Sequence, residues 1–281
     1  MVRLVSFLKE GRWQPGLQRG KSIVEIAGKG SASDVIAAHM AGGSLPEGGS
    51  HDLAYVKLGL PVPTPGKVIC MGLNYREHAK EGGNPIPNYP AIFLRAQSSL
   101  IAAQEPLVIP ACSDQLDYEA ELAVVIGRGG RNISERNALD HVFGYCCFND
   151  GSIRNYQRKS TQWTVGKNFD GTGAFGPSIL SADELPPGAD GLAIRCRLNG
   201  QIMQDGNTSD MIFSVARMIE IVSEAMTLDL GDVIITGTPS GVGYARKPPV
   251  FLKAGDVCDV EIEGIGILRN PVARAQSFRQ A

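Results

Sequence analysis

Asp117, Glu119 and Glu121 stand at alternate positions in Leu116-Asp-Tyr-Glu-Ala-Glu-Leu122, just before the apolar run Leu122 to Ile126 and Gly127. Alternate side chains of a strand share a face. Read as a strand, the three carboxylates point one way, and Tyr118, Ala120 and Leu122 the other. The run that follows has the form of a buried strand. Carboxylates leading into such a strand repel one another and lose hydration. A bound cation removes both penalties, and ligation by oxygen alone selects a hard ion such as Mg²⁺, Mn²⁺ or Ca²⁺. Asp259, Glu261 and Glu263 repeat the spacing but end at a glycine turn. The same pattern also describes one solvated face of a half-exposed strand.

Other residues fit the metal reading. Asp150 ends a second apolar strand, Phe143 to Phe148, where side chains gather at the mouth of a sheet. Beside Glu119 and Glu121 it would complete a set of three oxygen ligands, leaving about three octahedral positions for water or substrate. His78 and Glu81 are spaced i, i+3 and share a face on a helical turn. A His–carboxylate pair can take a proton from water, although a surface histidine beside a glutamate is the plainer alternative. Lys167, in Val165-Gly-Lys-Asn-Phe-Asp170, can supply a cation to a developing oxyanion or be an ordinary surface lysine.

These residues need elements to position them. Residues 1 to about 58 form a small module: a strand from Val2 to Leu8, another from Ser22 to Ile26, and a short helix Val35 to Met40, capped by Ser33-Asp34 and closed by Gly42-Gly43. Segment 59–66 has three prolines in eight residues, a semi-rigid linker that marks a domain boundary. Lys67 to Gly72 is a strand. Asn74 to Pro90 holds one helical turn, His78 to Glu81, amid glycines and prolines, and such irregular segments often serve as lids. Ser134 caps a helix to about Val142. A hairpin turns at Asn199-Gly200. Thr208 or Ser209 caps the longest helix, Asp210 to Met226, whose Ile212, Val215, Ile219, Val222 and Met226 recur at helical spacing. Strands follow at Val233 to Thr236 and Val257 to Ile262, with a loose tail after Val272.

Two glycine-rich stretches are excluded as nucleotide sites. Gly171-Thr-Gly-Ala-Phe-Gly176 matches G-x-G-x-x-G, but Pro177 follows at once where a helix must begin. Gly237-Thr-Pro-Ser-Gly-Val-Gly243 is neither a P-loop nor a nucleophile elbow, although its glycines allow close backbone approach to a ligand.

The 281 residues are 43% hydrophobic, enough for one large domain or one domain with a small appendage. A net charge of −2 gives no footprint for nucleic acid or an anionic membrane. No apolar run approaches the roughly 20 residues of a membrane span, and the first ten residues turn polar too quickly for a signal peptide. The six cysteines contain no C-x-x-C pair. Reduced thiols and a cytoplasmic location are expected.

Taken together, the motifs resemble the fumarylacetoacetate hydrolase superfamily. They are Gly72-Leu-Asn-Tyr-Arg-Glu-His78-Ala-Lys-Glu81, Asp117-Tyr-Glu119-Ala-Glu121-Leu, Asn149-Asp150-Gly-Ser-Ile-Arg154-Asn-Tyr-Gln157, Trp163 to Lys167-Asn-Phe-Asp, and Thr236-Gly-Thr238-Pro-Ser-Gly-Val-Gly243. The resemblance implies an α+β, mainly β fold: a mixed β-sandwich roll with a small N-terminal domain (1–58), a catalytic domain over 67–272 and a tail over 273–281. It implies a homodimer and a Mg²⁺ or Mn²⁺ ion on Glu119, Glu121 and Asp150, which leaves the second acidic run a decoy. It makes His78 and Glu81 the lid pair that activates water and Lys167 the partner of the metal shell. Arg154, Gln157, Thr238 and Tyr75 become substrate contacts. Asn155 and Arg95 depart from common family residues, which bears on substrate choice.

The expected activity is hydrolysis of the C3–C4 bond of a 2,4-dioxo acid, giving pyruvate and a carboxylic acid. Candidate substrates are an acylpyruvate such as maleylpyruvate or fumarylpyruvate, or a diketo-deoxy sugar acid. Oxaloacetate decarboxylation or hydroxymuconate isomerisation on the same site is the alternative, and a metal-stabilised binding module without turnover is the third reading.

Overall fold

The computed structural model describes residues 1–275. Four strands open the chain, β1 (Arg3–Lys9), β2 (Arg12–Arg19), β3 (Ser22–Ile26) and β4 (Glu47–Asp52), with helix α1 (Ala32–Met40) before the fourth. Strands β5 (Val68–Gly72) and β6 (Ala91–Arg95) flank α2 (Arg76–Glu81), and β7 (Leu100–Ile101), β8 (Leu107–Ile109) and β9 (Leu116–Asp117) lead into β10 (Ala120–Ile126) and β11 (Val142–Asp150). After β12 (Ser152–Ile153) come the short helices α3 (Arg154–Gln157) and α4 (Thr164–Lys167), then β13 (Gly173–Ser181). Hairpin β14 (Ala193–Leu198)–β15 (Gln201–Asn207), helix α5 (Val215–Ala225), β16 (Val233–Ile235) and hairpin β17 (Val257–Ile262)–β18 (Gly266–Arg274) complete the order.

The fold is mainly β, with mixed sheets. An 11-stranded sheet runs β4-β3-β2-β1-β13-β11-β10-β16-β5-β6, with β7 alongside β13. A five-stranded sheet runs β15-β14-β17-β18-β8, and β9 pairs with β12. Strand β10 explains why Leu122 to Ile126 is apolar without alternation. Leu122, Val124 and Ile126 pack with α5 and with Ile194, Val260 and Leu268 of the smaller sheet. Ala123 and Val125 face the other way, against Leu4, Leu17, Val35 and Ile36. A strand covered on both faces has no side left for polar residues.

The proline-rich segment 59–66 lies between the N-terminal strands and the rest, yet the large sheet crosses it, because β1 pairs antiparallel with β13. Helix α1 begins three residues before the expected Val35. Its cap is Ser31, whose side chain accepts from Asp34 N while Asp34 accepts from Ser31 N, a capping box. The stretch after Ser134 is 3₁₀ (Glu135–His141) rather than α. The long helix is corrected most: Thr208–Asp210 forms a separate 3₁₀ turn and α5 starts at Val215 under Ser214. Asn74 shows why. Its Nδ2 donates to Phe213 O at 3.1 Å and Thr236 O at 2.7 Å, and its Oδ1 accepts from Phe213 N at 2.7 Å. That side chain takes up the backbone groups a continuous helix would have used. Strand β18 runs to Arg274, pairing Val272, Ala273 and Arg274 with β8, so the stretch expected to be a loose tail begins as strand; residues 276–281 lie outside the described residues. Among the described residues, no helix is long and apolar enough to cross a membrane.

Asn74→Ala removes three hydrogen bonds to backbone groups and a weaker one to Met218 Sδ at 3.5 Å, from a side chain that is 0% exposed. A loss of roughly 2–4 kcal/mol in urea unfolding is expected, and a loss under about 1 kcal/mol would show that Asn74 does not hold this junction together.

Candidate active site

Four sheet strands end at one place. The N-terminal end of β10 lies beside the C-terminal ends of β11 and β16, and β16 runs parallel to β5. Glu121 enters from β10, Glu119 from the residue just before it, and Asp150 from β11. One oxygen from each lies within 4.8 Å of the others, and all three residues are buried. They line a cavity of about 330 Å³ with His78, Arg154, Gln157, Lys167, Thr238 and Tyr244.

Cations hold most of the negative charge. Lys167 Nζ bridges Glu119 and Asp150. Arg154 donates from Nη2 to Glu119 at 2.7 Å and from Nε to Asp117 at 2.8 Å. Arg95, from the end of β6, binds the other oxygen of Asp150. Glu121 differs: it accepts from Gly237 N at 2.6 Å and makes no ion pair among the described residues. Burial disfavours the Glu119 carboxylate, but Arg154 and Lys167 outweigh it and hold its pKa well below the usual range. For Glu121, burial and the neighbouring Asp150 and Glu119 charges act together and raise the pKa far above that range. Burial also opposes the Lys167 cation, yet Asp150 and Glu119 leave its pKa raised. Four buried carboxylates thus face three buried cations. A divalent ion fits this donor set: three carboxylate oxygens converge, one carboxylate lacks a cationic partner, and once Glu121 is ionised the local balance is negative.

A second set of groups has the chemistry to carry a proton. His78 is 7% exposed on α2, and its Nδ1 lies 3.3 Å from Glu81 Oε2. Glu81 Oε1 accepts from Gly241 N at 2.9 Å. The imidazole is thereby oriented through Nδ1, and its Nε2 has no hydrogen-bond partner among the described residues. Helix α2 is anchored at its start, where Glu77 N donates to Asp210 and Arg76 donates to Asp210 O and Met211 O.

The loop after β16 ties the two sets together. Gly237 N binds Glu121, Gly241 N binds Glu81, and Gly243 N with Tyr244 N binds Asp117 at 2.8 and 3.0 Å. A Cβ at Gly243 would sit 1.9 Å from Val250 O, and Gly241 has φ +100° with Met203 O at 2.3 Å. No larger residue fits either position.

The model of the Fumarylacetoacetate (FAA) hydrolase C-terminal family matches residues 67–273. The chain belongs to this family. It is 45% identical over 219 residues to a mitochondrial oxaloacetate tautomerase of Xenopus laevis, covering 77% of this chain and 68% of that one. It is 42% identical over 231 residues to the oxaloacetate tautomerase YisK of Bacillus subtilis, covering 79% and 75%. The solved fumarylacetoacetate hydrolase of Exiguobacterium antarcticum superposes with a TM-score of 0.87 at 38% identity, over 98% of this chain and 100% of that one.

The structure brings Glu119, Glu121, Asp150, His78, Lys167, Arg154, Gln157 and Thr238 to one cavity wall, with Glu81 hydrogen-bonded behind His78. Two of these are partly engaged already. Gln157 Oε1 accepts from Arg154 at 2.9 Å, leaving its amide N–H groups free. The Thr238 hydroxyl donates to Ala120 O and accepts from Gln204. Tyr75 is corrected: it is 0% exposed, caps α2 from within the core and does not line the cavity. Asp117 leaves the acid face because the strand breaks between β9 and β10, turning its carboxylate to Arg154. Asp259 and Glu261 pair with Arg269 and Arg197 on the smaller sheet, and Glu263 accepts from Ala193 N.

Sequence reading gave no site role to Tyr244, Arg158 or Trp163 on the cavity wall, and named Arg95, which lies behind Asp150, only as a departure from common family residues. None carries a local signal, except that Gly72 must be glycine because a Cβ there would meet the Trp163 ring at 2.1 Å.

Glu121 gives a pH signature. Its folded pKa lies far above its unfolded value. That carboxyl therefore stabilises the metal-free fold fully below about pH 4.3, and the stability is lost as pH rises through the raised folded value. Metal binding must displace the proton, so Mn²⁺ affinity is expected to rise with pH and calorimetry in buffers of different ionisation enthalpy should register proton release. Glu121→Gln should flatten the melting profile of the chelated protein over the same window. Pronounced pH dependence surviving in that variant would assign the signal elsewhere.

Proposed function

We propose that this family member is a metal-dependent tautomerase of 2-oxo dicarboxylic acids of the oxaloacetate type. The observation that carries this reading is the agreement of the two relatives above, both oxaloacetate tautomerases, with a site that pairs a carboxylate cluster and a histidine–glutamate pair on one cavity. It replaces C3–C4 hydrolysis as the first choice.

Ketonisation takes a proton from the enol oxygen at C2 and forms a C–H bond at C3, with no net change in composition. His78 Nε2 can hold the proton between the two positions, while Glu81 stabilises the imidazolium through Nδ1. A Mg²⁺ or Mn²⁺ ion on Glu119, Glu121 and Asp150 would supply Lewis acidity toward the 2-oxo oxygen. Lys167 fixes two of those carboxylates and keeps a positive charge beside the developing enolate. Arg154 holds Glu119 in place, and Gln157 offers its free amide N–H groups to a substrate carboxylate. The same pair of residues fits activation of water, which acylpyruvate hydrolysis requires, so that reaction is the second reading. The proposal includes a cytoplasmic homodimer. All six cysteines are free and five are buried, a state that a reducing compartment preserves, and light scattering reads the subunit number.

The test follows decay of the oxaloacetate enol absorbance with Mn²⁺ and again with chelator. Acceleration should require metal and fall about 100-fold or more in His78→Ala. Glu119→Ala or Asp150→Ala should abolish it together with Mn²⁺ binding. Pyruvate release from maleylpyruvate or fumarylpyruvate without enol decay would establish the hydrolase instead, and CO₂ release alone would make the protein a decarboxylase.

A further inference from the structure

We propose that Arg158 selects dicarboxylic over monocarboxylic 2-oxo acids by receiving the carboxylate at the far end of the substrate. This rests on the tautomerase reading and names its selectivity element.

The cations around the cavity fall into two groups. Arg95, Arg154 and Lys167 are spent on buried carboxylates. Arg158 lines the same cavity, but its side chain makes no ion pair or hydrogen bond among the described residues. It is exposed at the end of α3, where a solvated arginine would ordinarily wander. Here the guanidinium carbon lies 4.5 Å from the centre of the Tyr244 ring, and that of Arg154 lies 4.4 Å from the same centre. Tyr244 is itself pinned, its N–H bonded to buried Asp117 at 3.0 Å. The backbone is set too, with Arg158 N donating to Arg154 O at 3.2 Å. A planar cation with donors unspent among the described residues therefore sits at cation–π distance from a ring whose backbone is pinned.

A guanidinium recognises a carboxylate through paired, charge-assisted hydrogen bonds. The cavity of about 330 Å³ is near the lower limit for ligand pockets, which suits a short acid. With its 2-oxo acid end at the carboxylate cluster and His78, a four-carbon diacid would have its second carboxylate left for the wall that Arg158 occupies. The adjoining Lys159 serves as control: its ammonium sits over Tyr156, 3.6 Å from the ring centre, and it does not line the cavity.

The experiment compares oxaloacetate with 2-oxobutanoate, in which a methyl group replaces the distal carboxylate. The Mn²⁺-loaded protein is used, binding is read by titration calorimetry and turnover by C3 hydrogen–deuterium exchange. Arg158→Ala should raise Kd and KM for oxaloacetate roughly 10- to 100-fold, with a far smaller change in kcat and in 2-oxobutanoate binding. Arg158→Lys should recover part of the loss, and Lys159→Ala should leave the preference intact. An equal loss for both acids, or none for oxaloacetate, overturns the proposal. If neither acid exchanges, the tautomerase reading fails, and the ratio of the two binding constants still decides whether Arg158 reads the second carboxylate.

Discussion

Four buried carboxylates and three buried cations share one volume at the end of the large sheet. Isolated charges in such a place cost several kcal/mol each, so each must be compensated. Asp117 and Glu119 share Arg154, and Glu119 and Asp150 share Lys167, with Arg95 behind Asp150. Glu121 stands apart with a single backbone donor. With Glu121 ionised, the residual negative charge lies where three carboxylate oxygens converge, and a divalent ion held there would balance it. A negatively charged substrate would in turn balance the ion.

Much of the architecture serves this charge arrangement. Both faces of β10 and β11 are packed with apolar side chains, which fixes the carboxylates at their ends in a rigid frame. The short helices α3 and α4 present Arg154 and Lys167 from one side. The loop from Gly237 to Tyr244 gives successive N–H groups to Glu121, Glu81 and Asp117. One loop therefore holds Glu121 of the carboxylate cluster, the Glu81 partner of His78 and the Asp117 anchor of Arg154. A shift of that loop would disturb Glu121, Glu81 and Asp117 together, because their donors all lie within the eight residues from Gly237 to Tyr244.

Strands and acids were the most legible parts of the chain. Apolar runs marked β5, β10, β11 and β17 to within a few residues, since burial on one or both faces leaves a strong imprint on composition. The boundary of α5 was less legible. Ile212 and Met211 continue its apolar pattern, but the buried Asn74 captures the backbone at Phe213 and forces the helix to start later. Tyr75 was misplaced for a related reason. Its neighbours belong to the site, but a residue at a helix start can turn inward, and here the ring fills the core.

The sequence by itself determined the strand pattern, the family resemblance and the set of titratable groups available to the site. It also separated the two acidic runs through the motifs around the first. Only the tertiary structure decided that Asp117 turns away from the other acids, which cations are consumed in holding them, and that among the described residues Arg158 keeps its donors while Arg154 does not. The reason is physical. Periodicity records whether a position faces core or solvent, a property of each segment alone, whereas pairing of charges depends on distances between segments. Lys167 is 48 residues from Glu119 and Arg95 is 55 from Asp150, so only the folded arrangement of strands, short helices and loops brings these groups within hydrogen-bonding reach.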